Sequence, residues 1–357
     1  MEHYVGLDVS LKETHICVVD GAGAVVARQR SLTDPEAIAQ ALSRQAVPAS
    51  TVVLETGGQS HWLCSGLVAR DVPAVIVDAR RAKAFLSSCL NKTDANDASG
   101  LAQLARTGLY RRVAVKRDET RVVRTLLLAR EQLVKQRRDL ENQVRGFLRG
   151  FGLRVSSVTP NHFEARVMAL VAERVPELEA AVAPLLAARR GLLAEIKVLQ
   201  GRIKARAADD AVCRRLMTAP GVGPMTALAF MTAIDDPARF RRSADVGAYL
   251  GLTPRRRQSG EMDRSGRISK WGDALARHML YEAANVLLAR VRRSSPLKAW
   301  AVRLSRRIGA KKARVALARK LAVILHRMWC DGTTFRWDDA DGIDGIDGAD
   351  AADGADR

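Results

Sequence analysis

"HYVGLDVSLKETHICVVDG", residues 3–21, sets the fold. It reads as two short strands, HYVGLDVS and THICVVDG, separated by turn residues. A third, "AVVARQRS" at 24–31, follows before any helix signal, which predicts an antiparallel meander. "DPEAIAQALSR" (34–44) then predicts a helix capped by Thr33 or Asp34. "STVVLETGG" (50–58) is a strand ending at Glu55, "SHWLCSGLVAR" (60–70) a helix and "VPAVIVDA" (72–79) another strand. Helical segments are expected at 80–88 and from about Asp94 to Thr107. Strands interleaved with helices predict an α/β domain around a mixed sheet.

The 357 residues suffice for two or three domains with a sizeable core, and 47% hydrophobic residues suit a globular protein. The net charge is +19, but residues 338–357 hold eight Asp and one Arg. That tail carries −7 and leaves +26 on residues 1–337. Such an excess points to a polyanionic partner, with nucleic acid the usual one. Aromatic residues make up 4%, which disfavours recognition by many stacked bases. Five cysteines, Cys17, Cys64, Cys89, Cys213 and Cys330, form no close pair, which fits a reducing cytosol and not a zinc ribbon. No apolar run approaches the ~18 residues of a membrane helix, and the first ten residues do not read as a signal peptide. The expected location is the cytoplasm, in association with the nucleoid.

From Arg117 to Phe147 the pattern changes to heptads through Val123, Leu126, Arg130, Leu133, Arg137, Leu140, Val144 and Phe147. A second stripe runs Leu185, Arg189, Leu192, Ile196, Leu199, Ile203, beyond the break "GFGLRVSSVTPNHF" (150–163). These predict an antiparallel hairpin, a dimer arm, or ordinary packed helices. Further on, "TAPGVGPMTALAFMTAI" (218–234) places a glycine turn between helices. "YLGLTPRRRQSGEMDRSGRISKWGD" (249–273) is polar and Gly-rich and is expected to be irregular. Arginine-rich amphipathic helices follow at 274–291 and 301–329, and the tail is expected to be disordered. The expected domains are 1–112, 113–208 and 209–337, with the acidic tail at 338–357.

Asp8 and Glu55 stand at strand ends, and "KTDANDA" (92–98) places Asp94 and Asp97 on one face of a helix start. Carboxylates held that close repel at pH 7 unless a proton or cation lies between them. Four converging carboxylates would suit Mg²⁺ or Mn²⁺, and two such ions can clamp the attacking and leaving oxygens of a phosphodiester. Alternatively Asp94 and Asp97 serve only the helix N-terminus, with Thr93 as its cap.

"GLDVSLKETHICVVD", "VVLETGG" and "NKTDANDA" resemble the Asp-Glu-Asp-Asp motif set of an insertion-sequence transposase family that includes Piv-type DNA invertases. The similarity continues through "APGVGPMTALAF", "YLGLTPRRRQSG" and "GRISKWGD". The resemblance implies an RNase H-like, RuvC-like N-terminal domain, a helical coiled-coil middle and a mainly α C-terminal domain. It implies catalysis and metal binding by Asp8, Glu55, Asp94 and Asp97, and a nucleophilic serine in the second half. Members commonly read Ser-Ser-Gly after "GLTPR"; here the second serine is Ser259 and Gln258 replaces the first, with Ser265 and Ser269 as nearby alternatives. Arg255, Arg256, Arg257 and Lys270 are expected to hold phosphate. Gly221 and Gly223 would bring a helix-hairpin-helix turn to the backbone of the nucleic acid, or else only pack one helix on another. The resemblance further implies donor and target DNA, a structured non-coding guide RNA, and dimers or tetramers. Rival readings are a site-specific invertase, a Holliday-junction nuclease without covalent chemistry, an actin-like phosphotransferase and an inactive nucleic-acid-binding protein.

Overall fold

The computed structural model describes residues 2–45, 49–86, 93–156, 158–260 and 262–338. Lys92 and nearly all of the acidic tail lie outside them. The chain divides into two compact units, Met1–Arg117 and Asp118–Arg357.

In the first unit, β1 (His3–Val9), β2 (Glu13–Asp20) and β3 (Val25–Leu32) form the expected antiparallel meander. After α1 (Pro35–Ser43), β4 (Ala49–Glu55) pairs parallel with the other side of β1, Leu7 opposite Leu54. After α2 (Ser60–Val68), β5 (Ala74–Val77) joins parallel to β4. α3 (Ala79–Leu86) and α4 (Asp94–Thr107) follow, and a two-residue strand, β6 (Arg112–Val113), closes the far edge. The sheet order is β3-β2-β1-β4-β5-β6. This mixed sheet with helices on both faces is consistent with an RNase H-like fold.

The pleat sorts the side chains. Val5, Leu7, Ile16, Val18, Val52 and Leu54 pack with Ile38 and Leu42 of α1 and Leu63 and Leu67 of α2. The alternate residues Cys17, Val19 and Val53 face Ala98, Leu101, Ala102 and Leu104 of α4. Because both faces are covered, β1, β2 and β4 carry nearly continuous apolar runs.

The second unit is mostly helical. α5 (Asp118–Gly150), α6 (Phe163–Arg174) and α7 (Glu179–Asp209) come first. α5 and α7 run antiparallel: Leu127 packs with Ile203 and Ala207 at one end, and Val144 and Leu148 pack with Val182 and Leu186 at the other. Phe163 of α6 fills the tip. Arg189, the arginine in the second stripe, is only 2% exposed; its Nε donates to Glu141 Oε1 at 2.8 Å and its Nη2 to the Pro160 carbonyl at 2.5 Å. An interruption of the heptads is thus an internal ion pair. The stripe also drifts, for Phe147 is exposed and Leu148 is buried. A helix of 3.6 residues per turn departs from a 3.5-residue repeat in that way.

α8 (Ala211–Leu216), α9 (Pro224–Ile234) and α10 (Asp245–Tyr249) lead to a hairpin of β7 (Pro254–Ser259) and β8 (Met262–Ile268), then α11 (Ala274–Ala289), α12 (Pro296–Ile308) and α13 (Ala310–Cys330). Phe230, Leu280, Leu287, Leu317 and Leu321 centre this unit's core. The stretch expected to be irregular is therefore corrected to a two-stranded ladder. Its turn is made at Gly260, whose φ of +55° suits a two-residue hairpin connection.

Candidate active site

Gly6 lies beneath α4: a Cβ built there would stand 2.1 Å from the Ala98 carbonyl oxygen and 2.3 Å from Ala102 N. Only glycine lets helix and strand backbones approach so closely. Asp8, two residues on, shares that face of the sheet. Glu55 shares it too, two residues beyond Val53, which packs against α4. Leu7 and Leu54 are register partners on parallel strands, so Asp8 and Glu55 leave the sheet side by side at its carboxyl end.

His15, paired with Asp8 across β1 and β2, has Nε2 3.6 Å from Asp94 Oδ2. α4 therefore runs back along β1 with its first turn over the Asp8 end. That turn carries Asp94 and Asp97. Thr93 caps it, its Oγ1 accepting from Asn96 N at 3.2 Å. The positive helix end eases the repulsion between the two carboxylates, and Asp8 and Glu55 lie on the sheet face that this helix covers. Among the described residues, no three of His, Cys, Asp and Glu are gathered closely enough to hold a metal ion by themselves. Mg²⁺ is commonly held by one or two carboxylates together with waters and substrate phosphates, so an open array of hard oxygen donors fits it.

Ser259 belongs to the second unit and ends β7 opposite Met262, exposed at the hairpin tip. Among the described residues, none hydrogen-bonds its hydroxyl. Arg256 Nε donates to Asp263 Oδ1 at 2.9 Å, and its Nη2 to Oδ2. The guanidinium's hydrogen bonds hold the Asp263 carboxyl below the usual carboxylate range. Asp263 lies opposite Gln258, on the other face of the ladder from Ser259, so it serves Arg256 and is no base for the serine. Arg255 is exposed and donates to the Ser269 carbonyl at 3.1 Å; the Arg257 side chain lies outside what is described. Ser265 faces Arg256 across the ladder, and half-buried Ser269 follows β8. Lys270 is exposed at the hairpin base with a φ of +56°.

Two family models match. "Transposase IS116/IS110/IS902 family" covers residues 213–299, and a DEDD transposase model of the IS110 type covers residues 5–152. Together they take in more than half of the chain. The chain belongs to the IS116/IS110/IS902 transposase family. The transposase for insertion sequence element IS1111A of Coxiella burnetii is 30% identical over 93% of this chain and 91% of its own length. A probable family 20 transposase of Pseudomonas aeruginosa is 30% identical over 93% of this chain and 98% of its own. A putative transposase of Sinorhizobium fredii is 31% identical over 81% and 75% respectively.

The match over residues 5–152 spans all four carboxylates, and the match over 213–299 spans Ser259, the arginines, Lys270 and the glycine turn. Within that turn the two glycines differ. Gly221, at a φ of +83°, would drive a Cβ to 2.3 Å from the Ala283 carbonyl oxygen, so helix packing alone requires it. Gly223 heads α9 with open space where its side chain would be. The residue that sequence reasoning passed over is His15. Its signal was its place opposite Asp8, which exists only once the strand register is known.

Proposed function

We propose that this transposase cuts and rejoins DNA with Asp8, Glu55, Asp94 and Asp97 as its metal-binding carboxylates and Ser259 as its nucleophile. The observation that carries the first half is the placement of Asp8 and Glu55 on the sheet face whose covering helix begins with Asp94 and Asp97. Divalent ions bound there would polarise the scissile phosphate and stabilise charge on the attacking and leaving oxygens. The chain's own part is to present the four carboxylates at one edge, with His15 steadying Asp94. Ser259 Oγ forms a bond to phosphorus, the bond from phosphorus to the leaving sugar oxygen breaks, and the serine proton ends on that oxygen. Reversal with a hydroxyl from another strand reseals the DNA and restores the serine. Arg255, Arg257 and Lys270 offset phosphate charge near the ladder, and Gly223 offers backbone N–H groups at the start of α9.

The reading extends to a structured guide RNA, to dimers or tetramers and to a cytoplasmic, nucleoid-associated location. For self-assembly, the α5–α7 hairpin offers an open groove lined by Leu140, Leu192 and the small residues Ala188 and Gly191. No described helix is long and apolar enough to cross a membrane. The test of the metal site is Asp97→Asn: recombination should vanish while the unfolding transition stays in place and Mg²⁺ no longer raises it. Full activity in that variant would remove Asp97 from the site.

A further inference from the structure

Residues 283–330 contain thirteen Lys and Arg and no Asp or Glu. Most of α12 and all of α13 lie beyond the residues the family models match. α12 buries Leu297 and Ala301, and its outer face presents Arg303, Arg306 and Arg307, all exposed. Gly309 then turns the chain at a φ of +85° with open space around it. α13 begins at once with exposed Lys311 and Lys312, and its N-cap glycine supplies no side chain to the first-turn N–H groups. Among the described residues, no carboxylate pairs with any of these five cations.

Two structural reasons account for part of this. Arg306 and Arg307 suit the negative end of α12, and long basic side chains keep a surface solvated. Neither explains Lys311 and Lys312, which sit at a positive helix end where cations are disfavoured. Five like charges around one elbow repel each other unless an anion lies among them. The elbow also lacks what other partners need. Among the described residues from 283 to 330, no large hydrophobic side chain is exposed, so nothing there anchors a protein or stacks on an unpaired base.

We infer that the α12–α13 elbow is a docking surface for the phosphate backbone of duplex DNA. Arg303, Arg306 and Arg307 contact phosphates from one helix, and Lys311, Lys312 and the open first turn of α13 contact them from the next. The contact carries no sequence information and holds flanking DNA. This rests on the reading that the chain acts on DNA, but not on the metal or serine chemistry.

The test measures binding of the full chain to a labelled duplex of arbitrary sequence, about 40 base pairs long, in EDTA, between about 50 and 200 mM salt. The variant replaces Arg303, Arg306, Arg307, Lys311 and Lys312 by Ala. Its affinity should fall at least tenfold at the lower salt, and the slope of log K against log salt should shrink by roughly 3–5. Restoring Lys at the three arginine positions and both native lysines should recover most of the slope. EDTA keeps metal-dependent cutting silent, so a failed Asp97 or Ser259 test leaves this result standing. An unchanged slope with an intact melting transition would overturn the proposal. So would a loss seen with structured RNA and not with duplex DNA.

Discussion

Gly6 of β1 and Ala98 of α4 meet backbone to backbone, with 2.1 Å between the place of a Gly6 Cβ and the Ala98 carbonyl oxygen. This contact sets the height of α4 above the sheet, and so the height of Asp94 and Asp97 above Asp8. Gly6→Ala should cost about 1–3 kcal/mol or more, since a backbone atom and not a flexible side chain must give way. Chemical denaturation should show the loss, and activity should fall further than stability as the carboxylates separate. A variant as stable as the parent would mean that α4 does not seat on β1.

Glu141 and Arg189 join α5 to α7 from within. Glu141→Ala leaves the Arg189 guanidinium buried without its carboxylate and should cost about 3–5 kcal/mol in urea unfolding. Glu141→Gln keeps a hydrogen-bond acceptor and should cost less. Equal stability of all three proteins would show that water reaches Arg189.

Burial pushes the Cys213 thiol from 9.0 up to about 12, with Asp210 adding to the rise. The folded state then holds this proton more tightly than the unfolded state does. The corresponding stability is present below pH 9 and is lost as pH rises toward 12. Cys213→Ala, though less stable at neutral pH for its lost packing, should decline less steeply across that window. Parallel pH profiles of the two proteins would contradict this.

Leu133 and Leu140 are half-buried along the hairpin. Their joint replacement by Asp should yield monomers in light scattering if the groove beside Leu140 is where copies meet. Assembly unchanged, with a lowered melting point, would make these leucines internal packing alone.

The first unit was legible in the sequence because its strands are buried in sequence-local runs. The alternation Val5-Gly6-Leu7-Asp8 states the pleat directly, and Glu55 ends an equally plain strand. β6 was not legible, since two residues carry no periodicity. The β7–β8 hairpin was missed because "PRRRQS" and "MDRSGRI" are polar on both faces, so no buried side marks a strand. Its one signal was Gly260 between two runs of equal polarity. α6 was missed because it begins where the Gly- and Pro-bearing break ends, and the break registers the turn but not the short helix beyond it. At the site, the four carboxylates were nameable from motif and position. What the sequence did not show is that α4 runs back along β1 with its first turn toward the Asp8 end, which rests on the Gly6 contact and the His15–Asp94 pair.

The proposed chemistry turns on a serine at the hairpin tip that joins DNA covalently in a reaction the proposed metal-binding carboxylates also serve. The direct measurement is denaturing electrophoresis of the protein with labelled element DNA and Mg²⁺, with and without RNA transcribed from the element, followed by peptide mapping of any adduct. An adduct should form on Ser259 and be absent from Ser259→Ala, while that variant still binds DNA. Strand cutting by Ser259→Ala at the parent's rate, with free ends and no adduct in either protein, would contradict it.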